Sequence, residues 1–465
     1  MSSKKSVKYL NSEILKSLYD KIEKVDFRTE SGLSETNDRL SQKHYLVTTV
    51  LKVMEIAKAN QMDLCSSHGK VYIFNGEWWS GIEASEFRTF LGEAAVKMGV
   101  EKFTAMHYTF REHLIRQFLS ISSVTKSHDP EAVMINLKNG TLVVKGTKLG
   151  VKKPDPNDFI TYQLPFELDT EAFCPIFLDY LNRVLPNEKH QDIISEYLGY
   201  LFMKTSTMKL EKALILYGTG ANGKSVLFDI VNALLGGSSN VSNHSLQNLT
   251  NENGYYRAMI GDKLVNYASE VNGHMDTSMF KKLVSGEPVD ARLPYCEPFI
   301  LTDYAKLIFN CNELPTSVEN TNAFYRRFLI IPFEVTIPEE EQDKQLAQKI
   351  IKNELSGVFN WVLCGIFRLI KQKNFTQCES VDEVLKQYKY ENNTLALFFD
   401  DTGYEESLEE TTRLIDLYNE YKTYCLNANY RPLTYRKFSQ ELRNHGISTV
   451  RRNYGIVAYC QKTIF

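Results

Sequence analysis

The residues best suited to do chemistry form one glycine-rich segment near the middle of the chain. Its sequence, Gly-Thr-Gly-Ala-Asn-Gly-Lys-Ser, matches the phosphate-binding pattern G-x-x-x-x-G-K-[ST]. Glycines let backbone N–H groups turn toward phosphate oxygens, the lysine ammonium can reach the β- and γ-phosphates, and the serine hydroxyl can ligate Mg²⁺. We therefore predict that a nucleoside triphosphate binds with Mg²⁺ at Gly218, Thr219, Gly220, Ala221, Asn222, Gly223, Lys224, Ser225 and Val226.

Such a loop works between a strand and a helix, and the flanking sequence predicts both elements. The apolar run 213–217 precedes the loop and is typical of a buried strand. After the loop, apolar residues recur at helical spacing over 226–235, and Gly236-Gly237 can end that helix. The order of strand, loop and helix argues against a chance match in a glycine-rich turn.

Hydrolysis also needs an acidic residue, a sensor of the γ-phosphate and an arginine. A strand-like run ends at Glu270, which we expect to polarise the attacking water; a surface glutamate after a buried strand is the alternative. The next strand ends at Asn312, which can contact the γ-phosphate, whereas Asn310 shares its face but has less reach. Arg326 and Arg327 precede another apolar strand, and their position after loop, acid and asparagine favours an arginine finger over a solvated edge.

This series of motifs resembles the superfamily 3 helicases within the AAA+ ATPases. The likeness is to the C-terminal helicase region of phage and plasmid primases and to the vaccinia-type primase-helicase. In that family the loop reads G-x-G-x-N-G-K-[ST], and the acidic strand ends in a Ser-Glu pair like Ser269-Glu270. Other matching segments are the lysine-containing run 280–287, Asp290 with Arg292, Asn312 with Pro315, Arg326-Arg327-Phe328, and upstream 136–140, 174–175 and 196–200. The resemblance covers roughly residues 134–465.

The resemblance implies an α/β fold, with an AAA+ P-loop NTPase core, a helical or mixed N-terminal region and a C-terminal winged-helix domain. The corresponding boundaries are an N-terminal mixed α/β domain at 1–127, a helical connector at 128–205, the superfamily 3 helicase domain at 206–378, and a winged-helix DNA-binding domain at 379–465. In the N-terminal domain, Trp78-Trp79 could be a base-stacking platform, but buried core aromatics are more common and are our prediction.

The resemblance also implies an ATP-dependent, ring-forming replicative DNA helicase from a phage, virus or mobile genetic element. Its expected partners are single-stranded and forked DNA, other copies of the chain in a hexamer, and a primase or polymerase. Each arginine finger would act on the ATP of a neighbouring subunit, and Arg327 aligns better with the family pattern than Arg326. Many NTPases have Asp-Glu where this chain has Ser269-Glu270, so Glu270 acts either as a Mg²⁺ ligand beside Ser225 or mainly through water. The implied catalytic residues are Lys224, Glu270, Asn312, Arg326 and Arg327.

Two groups of basic residues are candidates for DNA contacts. The resemblance implies a hairpin before the Asn312 strand that projects basic residues into a central channel, and the nearby residues are Lys281, Lys282, Arg292 and Lys306. For the last unit, the sequence predicts two helices followed by a pair of strands, which is the order of a winged helix. This unit contains the second group of basic residues: Arg436, Lys437, Arg443, Arg451 and Arg452. Phosphate contacts of this kind weaken steeply with salt. Solvated side chains are the alternative for the first group, and protein docking is the alternative for the winged helix.

Composition limits the remaining options. The 465 residues carry a formal net charge of −3, so DNA contacts must come from local basic patches. The N-terminus lacks an apolar core of signal-peptide length, and no apolar run is long enough to span a bilayer. We therefore expect no membrane partner and a cytoplasmic location in a bacterial host. The 8 cysteines include no C-x-x-C pair, which favours reduced thiols over a zinc ribbon.

Two other functions fit parts of the sequence. A DNA-binding initiator or loader that uses ATP only as an assembly switch would share the loop and the basic groups but would unwind nothing. A small-molecule kinase would need neither Asn312, nor the arginine pair, nor the basic last unit. Residues 1–127 show no acidic pair or metal-ligand cluster that indicates a primer-synthesising centre.

Overall fold

The computed structural model describes residues 2–33, 39–67, 69–123, 129–269, 275–293, 297–315, 321–428 and 430–462, with the backbone alone for residues 2–10. These residues form an N-terminal unit, a central α/β unit and a last unit, each with its own hydrophobic packing. Across the described ranges, no helix is both long enough and apolar enough to cross a bilayer.

The N-terminal unit (residues 2–123) packs helices against a small antiparallel sheet. Helices α1–α6 are Ser2–Asp20, Phe27–Glu30, Gln42–Ala59, Ala84–Met98, Lys102–Met106 and Tyr108–Ile121, and strands β1–β3 are Asp63–Ser67, Lys70–Phe74 and Trp79–Ile82. The Asn75-Gly76 pair predicts a hairpin turn, and the structure has this turn between β2 and β3. Trp79 is buried and its indole N–H donates to Pro156 O at 2.8 Å, so this ring belongs to the core.

The central unit begins with an antiparallel sheet and two helices. Strands β4–β6 are Ala132–Leu137, Gly140–Lys145 and Lys148–Lys152, and helices α7 and α8 are Pro175–Val184 and Glu188–Tyr200. Asn139-Gly140 lies at the β4–β5 turn, where the sequence predicts a hairpin. Apolar residues of β4, β5, α7 and α8 share one core with the strands around the phosphate loop. The segment predicted as a helical connector is therefore a mixed part of the central unit.

A parallel sheet forms the centre of this unit. Its strands β7, β8, β9, β12 and β13 are Ala213–Tyr217, Val241–Ser242, Val265–Ala268, Lys306–Cys311 and Phe328–Pro332. They lie in the order β13-β7-β12-β9-β8, and all of their pairings are parallel. The carboxyl ends of the strands therefore lie at one edge of the sheet, and the amino ends lie at the other.

Helices cover both faces of the parallel sheet. Leu214 and Leu216 face the core that contains α7 and α8, whereas Ala213 and Ile215 face the opposite core, because successive side chains of a strand alternate. The remaining elements are a β10–β11 hairpin of Val289–Ala291 and Phe299–Leu301, and helices α9–α16 at Lys224–Leu234, Leu246–Thr250, Tyr255–Ala258, Thr277–Ser285, Asn322–Tyr325, Leu346–Asn353, Leu355–Gln372 and Glu379–Glu391.

The last unit has a separate hydrophobic core that begins at Leu395. Helices α17–α19 are Thr394–Thr402, Leu414–Asn427 and Tyr435–Asn444, and strands β14–β18 are Tyr404–Glu406, Thr412–Arg413, Thr449–Arg452, Gly455–Ala458 and Cys460–Lys462. Strands β15, β17 and β16 form an antiparallel sheet. Helix α16 packs instead on β13, and the Tyr388 hydroxyl donates to Pro315 O at 2.7 Å. Packing therefore divides the two units after α16 rather than at residue 379.

Candidate functional site

The phosphate loop joins β7 to α9 at the carboxyl edge of the parallel sheet. Its backbone is left-handed at Gly220 (φ 117°), Ala221 (φ 49°) and Gly223 (φ 85°), and the two glycines adopt this conformation without strain. Helix α9 begins at Lys224, so its N-terminal N–H groups and positive dipole end adjoin the loop. The predicted order of strand, loop and helix is confirmed, and its backbone suits an anion.

The Lys224 side chain is buried under its own loop. Its ammonium donates to Gly218 O at 2.6 Å and to Asn222 Oδ1 at 3.0 Å. An ammonium has three N–H donors, so one is left for a phosphate oxygen. The Asn222 amide donates to Phe333 O at 3.1 Å, which fixes the side chain that orients the lysine. Burial lowers the pKa of Lys224, and burial also raises the pKa of the nearby Cys311 thiol to about 12.

Helix α7 supports the loop from within the central unit. The Tyr180 hydroxyl donates to Gly223 O at 2.9 Å, and a Cβ on Gly223 would lie 2.8 Å from Val184 Cγ1. The buried Glu354 carboxylate accepts two backbone N–H groups at the start of α7, at 3.0 and 2.9 Å, and so caps that helix. Sequence reasoning missed Tyr180 and Glu354 because neither lies in a motif and both contacts join distant parts of the chain.

Strand β12 brings a polar side chain beside the loop. It pairs directly with β7, and Cys311 O at its end accepts the Gly218 N–H at 3.1 Å. Asn312 follows and is exposed at the carboxyl edge, whereas Asn310 is buried and accepts the Tyr267 hydroxyl at 3.0 Å. Asn312, rather than Asn310, would therefore be accessible to a nucleotide bound at the loop.

The predicted acidic residue, Glu270, comes after β9 in the chain. Strand β12 separates β9 from β7, the strand that leads into the phosphate loop. Ser269 is exposed at the end of β9, but Glu270 lies outside the described residues, so its role stays a prediction. Ser225 is exposed in the first turn of α9. Within the described ranges, no group of three or more His, Cys, Asp or Glu side chains could hold a metal ion. The Ser225 hydroxyl, Lys224 and the N-terminus of α9 suit a Mg²⁺ ion that is bound together with phosphates. They suit a metal site formed by protein ligands alone less well.

Arg326 and Arg327 lie at the opposite edge of the sheet from the phosphate loop. They precede β13, whose first residue pairs with Ala213, the first residue of β7. The loop follows Tyr217, so the 5 residues of β7 separate the two places by about 16 Å at about 3.3 Å per residue. An arginine side chain is shorter than this separation. Neither arginine therefore reaches the phosphate loop of its own chain.

The two arginines have different surroundings. Arg327 is buried, and its guanidinium donates to Ser285 Oγ at 3.0 Å and to Ala323 O. The Arg326 side chain is 61% exposed and pairs with Glu211 Oε2 at 2.9 Å. Arg326 is thus the more exposed of the two arginines, whereas the family pattern favours Arg327 as the finger.

Strands β10 and β11 form a hairpin before the Asn312 strand, where the resemblance implies one. Arg292 follows β10 directly and is exposed, and residues 294–296 lie outside the described residues. On α12, Lys282 is exposed and Lys281 is partly exposed. These three basic residues keep their place as predicted DNA contacts.

Lys306 does not fit the predicted DNA contact, because its ammonium is turned into the protein. It donates to Met203 O at 2.5 Å and lies 4.3 Å from the centre of the Tyr200 ring. Burial lowers the pKa of Lys306 to about 8. As the first residue of β12, Lys306 lies at the amino edge of the sheet, and we remove it from the DNA-contacting set.

The predicted DNA contacts of the last unit are all exposed: Arg436, Lys437 and Arg443 on α19, and Arg451 and Arg452 on β16. The hairpin of β16 and β17 also carries Tyr454, which is 66% exposed. Exposed rings beside basic side chains can stack on nucleic-acid bases. Sequence reasoning did not single out Tyr454, because an isolated tyrosine in a turn is no motif.

The phosphate loop lies in the part of the chain that a known family model matches. The model describes a family of unknown function (DUF5906) and matches residues 216–327. The chain is 23% identical over 344 residues to "Putative helicase 121R" of Invertebrate iridescent virus 3, and 24% identical over 246 residues to "Putative helicase L207/L206" of Acanthamoeba polyphaga mimivirus. These matches include 64% and 48% of the chain but 36% and 24% of the relatives. The chain is thus similar to viral proteins named as helicases and spans about a third of their length or less.

Solved structures of one other protein resemble the chain over most of its length. "The A form apo structure of NrS-1 C terminal region-CTR" has 13% sequence identity and a TM-score of 0.49, and the match covers 88% of this chain and 99% of that one. A second apo structure of the same region has the same identity and a TM-score of 0.48.

Proposed function

We propose that this chain is a ring-forming, ATP-driven DNA helicase of the AAA+ superfamily 3 type, encoded by a virus or related mobile element. The observation that carries the proposal is that the residues assigned to the ATPase lie at two opposite edges of one sheet. The phosphate loop and Asn312 lie at the carboxyl edge, and the exposed Arg326 lies at the amino edge. The loop of one copy and the arginine of another can form a complete site only where two copies meet, as they do in a ring. Similarity to viral proteins named as helicases supports the same function.

In the proposed reaction, the loop N–H groups and the Lys224 ammonium hold the β- and γ-phosphates of ATP. Mg²⁺ beside the Ser225 hydroxyl would neutralise charge on these phosphates. Asn312 contacts the γ-phosphate, and Glu270 polarises the attacking water. Arg326 of the adjoining copy neutralises the charge that develops on the transferred phosphoryl group.

The sheet order supports an AAA+ type of core. Strand β12 is inserted between the loop strand β7 and the acidic strand β9, which brings Asn312 next to the loop. The β10–β11 hairpin comes directly before β12 in the chain. The hairpin matches the one that the resemblance implies, and the sheet order places the predicted γ-phosphate sensor beside the loop.

A short chain of contacts could link ATP hydrolysis to DNA movement. Arg327 follows the proposed finger and binds Ser285, the last residue of α12. Helix α12 leads within a few residues into the β10–β11 hairpin, which carries Arg292. A shift of Arg326 on the neighbour's nucleotide would therefore be transmitted to the proposed DNA-binding hairpin.

We assign the last unit as a winged-helix DNA-binding domain on the basis of its helices and antiparallel sheet. Helix α19 presents Arg436, Lys437 and Arg443, and the β16–β17 hairpin presents Arg451 and Arg452 as its wing. Contacts of arginine with phosphate release counterions, so replacing Arg451 and Arg452 by Gln should weaken DNA binding and reduce its salt dependence. A protein-docking domain would show neither change.

The test is ATP hydrolysis with and without single-stranded DNA, together with strand displacement from a forked duplex. We expect DNA to stimulate hydrolysis and ATP to drive displacement, and we expect Lys224→Ala to lose both activities. Electron microscopy with DNA and an ATP analogue should show rings. Hydrolysis and DNA binding without displacement would favour the initiator or loader. Normal hydrolysis by a protein that stays monomeric under every nucleotide condition would contradict the proposal.

A further inference from the structure

The hairpin of β16 and β17 projects beyond the sheet of the last unit. Strand β16 pairs with β17 from Gly455 to Ala458, whereas β15, on the other side of β17, pairs only with Val457 and Ala458. The first two residues of β17 and the turn before them therefore extend past β15, by about 7 Å or more at about 3.3 Å per residue. Residues 451–456 are all exposed, while Val457 and Ala458 are buried. The end of the hairpin is thus free to contact another molecule.

The tip of this hairpin carries an aromatic ring. Arg452 pairs directly with Gly455, so Asn453 and Tyr454 form the two-residue turn between the strands. Tyr454 is 66% exposed, and Ile456 beside the turn is 40% exposed. A largely exposed tyrosine ring offers a flat, mostly apolar surface that can stack on another ring.

The two arginines of β16 lie on opposite faces of the hairpin, because successive side chains of a strand alternate. Arg451 is paired with Ile456 on one face. Arg452 lies on the other face, where its guanidinium donates to the Tyr459 hydroxyl at 3.1 Å. A guanidinium has five N–H donors, so Arg452 keeps donors for a phosphate group. The hairpin therefore presents one cation on each face, on either side of an aromatic tip.

These features select one form of DNA. Within a continuous duplex only the edges of the bases are open in the grooves, so a ring can stack only on an unpaired base or on the last pair of the duplex. Cations on both faces of a narrow hairpin suit two phosphate backbones, one passing on each side. A single strand supplies one backbone. A fork supplies both an open last base pair and two strands that diverge from it.

We propose that the β16–β17 hairpin binds the fork of a DNA duplex. Tyr454 stacks on the last base pair, and Arg451 and Arg452 contact the backbones of the two diverging strands. The inference rests on the proposed role of the last unit as a DNA-binding domain, and it adds the structure of DNA that this unit recognises. A hairpin in this position would keep the separated strands from pairing again.

Equilibrium binding of the full chain to three DNA probes, without nucleotide, tests this proposal. The probes are a forked duplex, the same duplex without tails, and one of its tails as a single strand. The wild type should bind the fork most tightly. Tyr454→Ala should weaken fork binding roughly tenfold, within the range of base–aromatic stacking, whereas Tyr454→Phe keeps the ring and should bind like the wild type. Tyr108→Ala is the matched control, since it removes a ring that is 74% exposed in the N-terminal unit.

A fluorescent base reports the stacking contact directly. With 2-aminopurine in the last base pair of the fork, binding of the wild type and of Tyr454→Phe should change the fluorescence, and binding of Tyr454→Ala should not. The same base placed in the middle of the duplex should give no change with any of the three proteins. Equal fluorescence changes at the two positions would contradict stacking at the fork.

The arginine variants separate failure of this inference from failure of the proposed function. If Arg451→Gln with Arg452→Gln weakens binding of all three probes but folded Tyr454→Ala binds them like the wild type, the last unit binds DNA and the fork contact is wrong. If neither variant changes binding, both the DNA-binding role of the last unit and this inference are wrong. Because these measurements need no ATP hydrolysis, a chain that prefers forks through Tyr454 but unwinds nothing would contradict the helicase and support the inference.

Discussion

The two edges of the parallel sheet differ in how their polar groups are satisfied. At the carboxyl edge, Lys224 bonds to Gly218 and Asn222, so the phosphate loop is organised within one chain. At the amino edge, Arg326 is largely exposed, and its ion pair with Glu211 lies near the surface. In the proposed ATPase, the carboxyl edge is the preformed half of the site, and the amino edge supplies the arginine that acts on another copy. Each chain would thus hold complementary halves of two sites.

Among the variants that test this comparison, Arg326→Ala is expected to have the largest effect on ATP turnover. A finger that acts in trans contributes about 10³–10⁵-fold to turnover, so the assembled variant should lose activity on that scale while ATP binding persists. Lys209→Ala is the matched control, since Lys209 also pairs with Glu211 at 3.3 Å. Mixing Arg326→Ala with Lys224→Ala should restore part of the activity at interfaces that combine two intact halves. Full activity of Arg326→Ala alone would exclude it as the finger.

Lys224→Ala tests the carboxyl edge. Loss of a preorganised cationic donor should reduce steady-state hydrolysis by at least about 10²–10³-fold. Lys352→Ala, which replaces an exposed lysine on α14, should leave hydrolysis unchanged. Wild-type turnover by Lys224→Ala would show that the loop is not the catalytic site.

Arg327→Ala separates structure from catalysis at the amino edge. Removing a buried guanidinium leaves Ser285 and Ala323 O without their donors, so the free energy of unfolding should fall by about 3 kcal/mol or more. Denaturant titration measures this loss, and Arg326→Ala should lower stability by less than about 1 kcal/mol, as expected for an exposed pair. If the two variants lost the same free energy of unfolding, the distinction between a buried Arg327 and an exposed Arg326 would be wrong.

Lys306 adds a pH-dependent test of the amino edge. Burial lowers its pKa from 10.5 to about 8, so between these values the unfolded chain holds a proton that the folded chain has released. Stability rises with pH wherever the unfolded state binds more protons. From pH 8 to 10.5, the wild type should therefore gain up to about 3 kcal/mol relative to Lys306→Met. A constant difference in the free energy of unfolding over this range would contradict the assigned burial.

The smallest expected effect concerns support of the loop. Tyr180→Phe removes the hydrogen bond to Gly223 O and should cost about 0.5–1.5 kcal/mol of stability, with a modest rise in KM for ATP. Tyr418→Phe removes a comparable hydrogen bond to Leu433 O at 3.0 Å in the last unit and should leave KM unchanged. An unchanged KM in Tyr180→Phe would show that α7 does not position the loop.

Short-range patterns made several elements predictable. The loop motif with its flanking apolar runs predicted β7 and α9, and the Asn-Gly pairs predicted the β2–β3 and β4–β5 turns, because these structures depend on neighbouring residues. The mixed character of residues 129–205 was less readable. Its strands and helices share a core with a sheet that lies much later in the chain.

The sequence by itself determined the phosphate loop, because glycine spacing, one lysine and the adjoining strand and helix are local properties. It also identified Arg326 and Arg327 as a pair. Tertiary structure alone distinguished the exposed Arg326 from the buried Arg327, turned Lys306 inward, and brought Tyr180 to the loop. Burial and hydrogen-bond partners come from segments far apart in the chain, so no local spacing records them.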